Sequence, residues 1–426
     1  MSETPLRSTM PTGWKTALLG SHAEFRNGIN FTTKSNGESV KVLGVSDFLS
    51  RSVINDFSSM PMVRLATTPK PDDYLRDGDF VFVRSNGSRD LIGRCAMVFP
   101  STERVMFSGF TIRMRLNSHE MAPRFWLNFA KSELFKKALH EQGSGSYITN
   151  LSQETLSEIE IALPPLPEQR RIVAVLDAWD QAIEQTERLI TTNWQKKKAV
   201  LQKLLSKLPK RPLLEAADVW FSGIDKKSSS DETPVLLCNY MDVFHNTRIT
   251  SALNFMRATA SQSEIEGNRL RKHDVVFTKD SETSEEIAEP TLVAEDIENL
   301  VCGYHLAIAR PRDGVGYGPF IAQAMRHQEI RWQFCRLANG VVRFGLTLDA
   351  IEQAEIFLPS FQIQQQIAAI LDNEDLAIDV LARHADILRI QKRGLMQRLL
   401  TGQWLLDERF DPPALTSQLE FAGGAV

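Results

Sequence analysis

From Pro167 to about Leu208 the chain holds no internal proline or glycine, and its apolar residues recur in steps of four and three: Ile172, Leu176, Trp179, Ile183, then Ile190, Val200 and Leu204. That spacing predicts one long amphipathic helix with a coiled-coil seam. Later in the chain Ile367, Leu371, Ile378, Leu381, Ala385, Leu388, Leu395 and Leu399 repeat the same phase. A helix of about 40 residues is roughly 60 Å long, and an apolar stripe of that length needs a cover. The economical cover is the other helix, with Ile172, Leu176, Ile183, Ile190 and Leu204 facing Ile367, Leu371, Ile378, Leu388 and Leu399. Thr186, Asn193, Lys197 and Lys392 interrupt the stripe with polar groups.

The two runs are copies. Residues 163–177 read LPPLPEQRRIVAVLD and residues 358–372 read LPSFQIQQQIAAILD, a shift of 195 positions. At that shift Leu163 and Pro164 fall on Leu358 and Pro359, Gln169 on Gln364, Ile172 on Ile367, and Leu176 and Asp177 on Leu371 and Asp372. The match continues ungapped through Asp180 on Asp375, Lys197 on Lys392 and Leu204 on Leu399. Weaker echoes lie upstream, with Gly28 and Ile29 on Gly223 and Ile224, Asp79 on Asp274, and Phe82 on Phe277. Such a fixed-shift match is an internal duplication. The hydrophobic frame is kept while polar residues vary.

Each copy reads as a body followed by a long helix, which divides the chain into residues 1–162, 163–208, 209–357, 358–402 and a polar tail, 403–426. The bodies are mixed and strand-rich, with VKVLGVSDF, DFVFVRS and FTIRMRL in the first and PVLLCNY, DVVFTK and LAIAR in the second. Pro209 and Pro212 flank the basic pair Lys210 and Arg211 where one half gives way to the other. A chain of 426 residues suggests two or three domains, and the duplication favours two.

Charge adds one restriction. The net charge of -4 is uneven: residues 1–162 carry +2, residues 163–211 carry +5, and residues 212–357 carry -8. Contact with nucleic acid therefore has to use local patches. The four cysteines form no CxxC pair, so neither a zinc site nor a disulfide framework is supported. The N-terminal stretch lacks the apolar core of a signal peptide, and no run reaches the length of a membrane span, which points to a cytoplasmic protein. No P-loop, GxSxG elbow or HExxH pair occurs, so no catalytic residue and no metal ligand set is assigned. His305, in the strand-like CGYHLAIAR, reads as a satisfied core histidine. Asp411-Pro412-Pro413-Ala414 ends without the aromatic ring that a base-holding loop needs.

The residues suited to meet nucleic acid sit in loops after strands. DFVFVRSNGSRDLIGR places Arg84, Ser85, Asn86, Ser88 and Arg89 where a strand ends, and Asn86-Gly87 allows a left-handed turn that brings N–H groups toward a phosphate. Arg pairs with guanine and Asn with adenine through two hydrogen bonds each. The same residues equally suit a plain polar hairpin loop. A second loop, QGSGSYIT, offers Ser144 and Tyr147, and its counterpart ANGVVRF offers Asn339 and Arg343. In the second body Lys279 and Ser281 occupy the equivalent strand end, but Glu282, Glu285 and Glu286 follow and repel phosphate.

TNLSQETLSEIEIALPPLPEQRRIVAVLD at 149–177, its copy LTLDAIEQAEIFLPSFQIQQQIAAILD at 346–372, and the helix ends LQKLLS and MQRLLTGQ resemble the specificity (S) subunit of type I restriction-modification systems. The second copy departs from the pattern where Ser360-Phe361-Gln362-Ile363 replaces Pro165-Leu166-Pro167-Glu168. The resemblance implies an α+β architecture: two mixed α/β target recognition domains related by pseudo-twofold symmetry and separated by two long antiparallel coiled-coil helices. It implies double-stranded DNA as ligand, two modification (methyltransferase) subunits and ATP-dependent restriction subunits as partners, and S-adenosylmethionine held by the modification subunit rather than by this chain. Two other readings suit the same pattern: the recognition subunit of a restriction enzyme that cuts on both sides of its site, and a coiled-coil scaffold with no DNA role.

Overall fold

The computed structural model describes residues 10–30, 38–48, 51–65, 68–142 and 150–412. The chain divides into two units, Met1–Gln185 with His384–Val426, and Thr186–Arg383. The division falls inside both long helices, not at the composition changes near residues 162, 208, 357 and 402. The reason is packing: each half-helix lays its apolar stripe on the body it adjoins.

The first unit contains β1 (Lys15–Leu18), β2 (Ala23–Asn27), β3 (Ser39–Leu43), β4 (Val53–Ile54), β5 (Met62–Arg64), β6 (Asp79–Val83), β7 (Cys95–Val98), β8 (Val105–Phe107), β9 (Thr111–Leu116), α1 (Pro123–Ala130), α2 (Glu133–Gln142), α3 (Gln153–Ser157), β10 (Glu160–Leu163) and the first half of α4 (Leu166–Leu205). Its sheets run in the orders β2-β9-β6-β7-β4, β5-β3-β8 and β1-β10. The central strand β6 reads DFVFV and is buried throughout. Alternation of side chains across a strand sends Phe80 and Phe82 to one core with Trp126, Phe129 and Phe135. Val81 and Val83 go to a second core with Phe48, Phe57 and Phe107. The ring of Phe82 lies 6.4 Å from Trp126 and 5.9 Å from Phe135, centroid to centroid.

The second unit repeats this plan. Its five-stranded sheet runs Ala217–Phe221, Leu306–Pro311, Val275–Thr278, Pro290–Val293, Arg248–Ile249, and its three-stranded sheet Met256–Ala260, Thr233–Cys238, Leu300–Cys302. Val275 and Phe277 join one core and Val276 the other. It adds a small sheet in which Asp280–Ser281 pairs with Phe344–Gly345, and that strand with Asn339–Gly340. The cysteines are free, and Cys238 and Cys302 are neighbours across a parallel ladder.

The duplicated polar residues are the anchors of this plan. In β6 the buried Asp79 carboxylate takes two bonds from the Arg115 guanidinium, both 2.7 Å, and one from the Arg76 N–H, 2.7 Å. Asp274 repeats the arrangement with Arg310 at 2.9 and 2.7 Å and the Arg271 N–H at 2.8 Å. At the helix starts, Gln169 accepts from the Ala122 N–H (2.8 Å) and donates to the carbonyls of Glu120 (2.7 Å) and Pro164 (2.8 Å). Gln364 does the same with the Tyr317 N–H (2.9 Å), Val315 (2.8 Å) and Pro359 (3.0 Å). Each glutamine is fully buried, so these bonds are obligatory.

The helices α4 and α5 (Phe361–Leu400) are each 40 residues long and begin at duplicated positions. Replacement of Pro165 by Ser360 does not move the start, because Ser360 O accepts from Gln364 N at 3.0 Å as Pro165 O does from Gln169 N. The helices are antiparallel within each unit. In the first, Ile172 and Leu176 share a core with Met396, Leu399 and Leu400, and Lys392 pairs with Asp180 at 2.5 Å. In the second, Leu201 and Leu205 meet Ile367 and Leu371, and Lys197 pairs with Asp375 at 2.5 Å. Of the expected seam, Ile172, Leu176, Ile367, Leu371, Ile378 and Leu399 are buried, whereas Ile183, Ile190, Leu204 and Leu388 are half-buried. Near the end of α4 the seam passes from Leu204 to Leu201 and Leu205. An α-helix turns every 3.6 residues, so a stripe extrapolated on a 3.5-residue repeat drifts off its face.

The interrupting lysines are both buried, but their carboxylate partners differ in burial. Lys197 and Asp375 are 4% and 6% exposed in their side chains, and Gln323 also donates to Asp375 at 2.7 Å. Burial pulls the Lys197 ammonium below its ordinary range, and the Asp375 charge opposes this. Asp180 is 46% exposed. We therefore expect Asp375→Ala, which strands a buried ammonium, to cost about 3–5 kcal/mol in urea unfolding of the full chain. Asp180→Ala should cost under about 2 kcal/mol, since water replaces the carboxylate. Equal losses would contradict the burial difference.

Candidate nucleic-acid interface

In the first unit the loop after β6 is fixed by its backbone. The N–H groups of Arg84 and Ser85 both donate to the Phe110 carbonyl, at 2.8 and 3.4 Å, and Arg84 O accepts from Leu151 N at 2.8 Å. The Arg84 Nε donates to Asn150 Oδ1 at 3.1 Å, which orients the guanidinium without burying it. Asn86, Gly87 and Ser88 are exposed. The expected left-handed turn at Asn86-Gly87 does not form, since neither residue has a positive φ. Instead Asn86 Oδ1 accepts from the Ser88 N–H at 2.8 Å, and the side chain substitutes for a turn carbonyl. The left-handed residue is Gly93, at φ 81°. The Arg89 side chain, Ser144 and Tyr147 lie outside the described residues.

Beside this loop is a cleft of about 540 Å³ whose lining includes Ser46, Asp47, Ser85, Asn86, Ser108 and Phe110. The Phe110 ring stands at the turn between β8 and β9, 63% exposed. Periodicity did not single it out, because one apolar residue at a glycine-containing turn carries no pattern. The only signal in the sequence was its place immediately before a strand, after Ser108-Gly109.

In the second unit the fold brings Ser281 and Asn339 into one small sheet and Lys279 and Arg343 to its flanks, with Asp280 opposite Gly345 and Asn339 also opposite Gly345. Two of the four are turned inward. Ser281 is buried, bonded to the Tyr240 hydroxyl (3.1 Å) and the Glu286 carboxylate (2.5 Å). The Lys279 ammonium lies 3.6 Å from Asp280 and 5.2 Å over the Phe221 ring. The expectation that Ser281 is a surface contact is thus corrected: the neighbouring acids that repel phosphate also satisfy the hydroxyl inside. Asn339 and Arg343 stay exposed, with Arg343 Nη2 at 3.4 Å from the His305 ring nitrogens. His305 is no core residue; it is half-buried, with Nδ1 3.1 Å from Asp280 Oδ2. Between Asn339 and Arg343 the tip residues Val341 and Val342 are almost fully exposed.

Elsewhere the structure assigns ordinary work to polar groups. Asp411 accepts from the Arg171 guanidinium at 2.6 and 3.3 Å, which ties the chain beyond α5 to α4 within the first unit. Among the described residues no cluster of three or more His, Cys, Asp or Glu side chains is placed to hold a metal. Among the described residues no helix is long and apolar enough to cross a membrane.

Comparison with known proteins agrees with this architecture. Residues 11–192 match the family model of the type I restriction modification DNA specificity domain. The StySPI type I restriction enzyme specificity subunit of Salmonella potsdam is 25% identical over 197 residues, 46% of this chain and 42% of that protein. The putative MjaX type I specificity subunit of Methanocaldococcus jannaschii is 23% identical over 360 residues, 76% of this chain and 78% of that protein. A solved chain from work on complex assembly and conformational transition of the type I R-M system has the same fold, with a TM-score of 0.59 and 18% identity over 93% of this chain and all of that one. A duplicated body with a long helix, a specificity-domain match across the first body and into α4, and specificity subunits among its relatives make this chain similar to the specificity subunits of type I restriction-modification systems, with residues 11–192 carrying the match to the specificity domain.

Proposed function

We propose that this chain is the DNA-recognition and scaffold subunit of a type I restriction-modification complex, without catalytic chemistry of its own. Each unit reads one part of a bipartite site and presents an adenine to a methyltransferase subunit that carries S-adenosylmethionine. Two such subunits bind one chain, and ATP-dependent restriction subunits join them. The observation that carries this reading is a contrast at matched positions. The buried anchors are the same in both units, Gln169 and Gln364, Asp79–Arg115 and Asp274–Arg310. The loop at the strand end differs completely, Ser85-Asn86 with Phe110 in one and Asp280-Ser281 with His305 in the other. A frame held constant under variable polar loops is what two readers of different sequences require.

Of the candidate contacts, Asn86 and Ser88 in the first unit and Asn339 and Arg343 in the second are exposed, Arg84 is half-buried, and all five are suited to base edges or phosphates. Lys279 and Ser281 support the second loop from within. The acidic second half makes its reading depend more on direct contacts at the hairpin and less on phosphate attraction.

Exchanging residues 12–150 for the equivalent body of another family member, with the methyltransferase subunits co-expressed, should alter one half of the methylated motif and leave the other unchanged. Methylome sequencing of the host reads this directly, and a change in both halves would refute the division of labour. Each long helix passes from one unit into the other. Four residues inserted in both helices, after Gln185 and after Arg383, preserve both Lys–Asp registers and add about 6 Å of helix. The spacer between half-sites should then lengthen by about two base pairs, at 3.4 Å per step, with the bases read unchanged; an unaltered spacer would refute the helices as the ruler.

A further inference from the structure

The cleft of the first unit has features that contacts along an intact duplex do not explain. Its exposed ring, Phe110, is displayed from a turn locked on every side. Ser108 N donates to Leu43 O (3.0 Å), Gly109 N to Ile29 O (2.7 Å), and the Phe110 carbonyl holds the loop of Arg84 and Ser85. The Thr111 hydroxyl donates to Ser108 O at 2.7 Å. Gly28 is required for this packing, since a methyl group there would lie 2.0 Å from the Ser108 carbonyl oxygen. A rigid backbone that keeps an aromatic ring in water, clear of both cores, suits a ring that has its partner elsewhere.

The lining is polar and partly unsatisfied. Ser108 is buried, yet its hydroxyl has no hydrogen-bond partner among the described residues. Asn86 spends its carbonyl oxygen on Ser88 N, which leaves the amide nitrogen as the end that addresses a ligand. One oxygen of Asp47 accepts from the Gly44 N–H at 2.7 Å, and its carboxylate opposes a phosphate in the cleft. A flat, uncharged group with amino and carbonyl edges satisfies these atoms; a phosphate does not. The cleft volume lies within the range of small-ligand sites. The same turn of the second unit also exposes an aromatic ring, Tyr304, 3.6 Å from the ring of His305.

We infer that the cleft receives one nucleobase turned out of the DNA stack, other than the adenine that is methylated. The base lies on the Phe110 ring and is read by Asp47 and Asn86. The carboxylate only accepts hydrogen bonds, so it takes a donor on the pairing edge of the base, an exocyclic amino group or a ring N–H. Enzymes that read extruded bases combine the same two elements, an aromatic or apolar face and hydrogen bonds to the pairing edge. This inference rests on the chain being a DNA-recognition subunit.

The test uses the full chain assembled with its methyltransferase subunits and S-adenosylmethionine. Its probes are duplexes of the motif found by methylome sequencing, in which each base pair is replaced in turn by a mismatch that retains one strand's base. Unpairing costs free energy that a mismatch removes. In the half-site of the first unit, assigned by body exchange, one position other than the methylated adenine should therefore bind about tenfold tighter when mismatched. Phe110→Ala should abolish that gain and weaken binding to the paired duplex about tenfold, with Phe110→Trp close to the natural chain. Any gain at the methylated adenine depends on the methyltransferase subunit and persists in Phe110→Ala as an internal control. Phe110 is exposed, so both variants should fold with unchanged thermal unfolding. Identical mismatch profiles for the natural chain and Phe110→Ala would overturn the inference while leaving DNA recognition intact. An assembly with no sequence preference would remove the recognition reading and this inference together.

Discussion

The fold depends on a buried side-chain amide at the start of each long helix. Gln169 and Gln364 each make three hydrogen bonds, one to a backbone N–H and two to carbonyls, inside a region that water does not reach. A glutamine in that position joins the end of the sheet-bearing body to the first turn of the helix, so the direction and rotational phase of the helix follow from the body. Leaving any of those groups unpaired costs about 1–3 kcal/mol, which is why the arrangement is the same in both halves although the flanking residues differ.

From those joints the packing of the helices follows. Each half-helix buries its stripe beside a body and beside an antiparallel half of the other helix, with one Lys–Asp pair at the matched place in each unit. A lysine in an apolar seam is unfavourable unless its carboxylate arrives at one register, so the pair acts against sliding of one helix along the other. The polar interruptions that weaken the hydrophobic stripe in the sequence thus serve alignment. The C-terminal half of α5 belongs to the first unit, and that unit is completed only when the last part of the chain returns to it.

The loops carry the variation because the frame leaves them free to vary. In the first unit the loop after β6 is shaped by backbone bonds and by Asn86, and its side chains face a cleft with an exposed ring. In the second unit the equivalent loop is consumed by an internal network of Tyr240, Ser281 and Glu286, and exposure passes to the hairpin of Asn339–Gly345. Burial, with acids nearby, pushes the Tyr240 phenol above its ordinary range, so it enters that network as a neutral hydroxyl.

The sequence alone determined the duplication, the two helices, their shared phase and the existence of two bodies, because periodicity and repeat are local or fixed-shift properties of the chain. It also marked Arg84, Asn86 and Arg343 as loop residues, since strand ends are legible from composition, whereas Asn339 begins a short strand. It did not determine that Ser281 faces inward, that Asn86 shapes its turn through its side chain, that Leu201 and Leu205 replace Leu204 in the seam, or that Phe110 stands exposed over a cleft. Apart from the local Asn86–Ser88 contact, those outcomes depend on neighbours far along the chain, such as Tyr240 beside Ser281 and Ile367 and Leu371 beside Leu201 and Leu205. Only tertiary packing decides whether a polar group finds its partner inside the protein or is left to find one outside it.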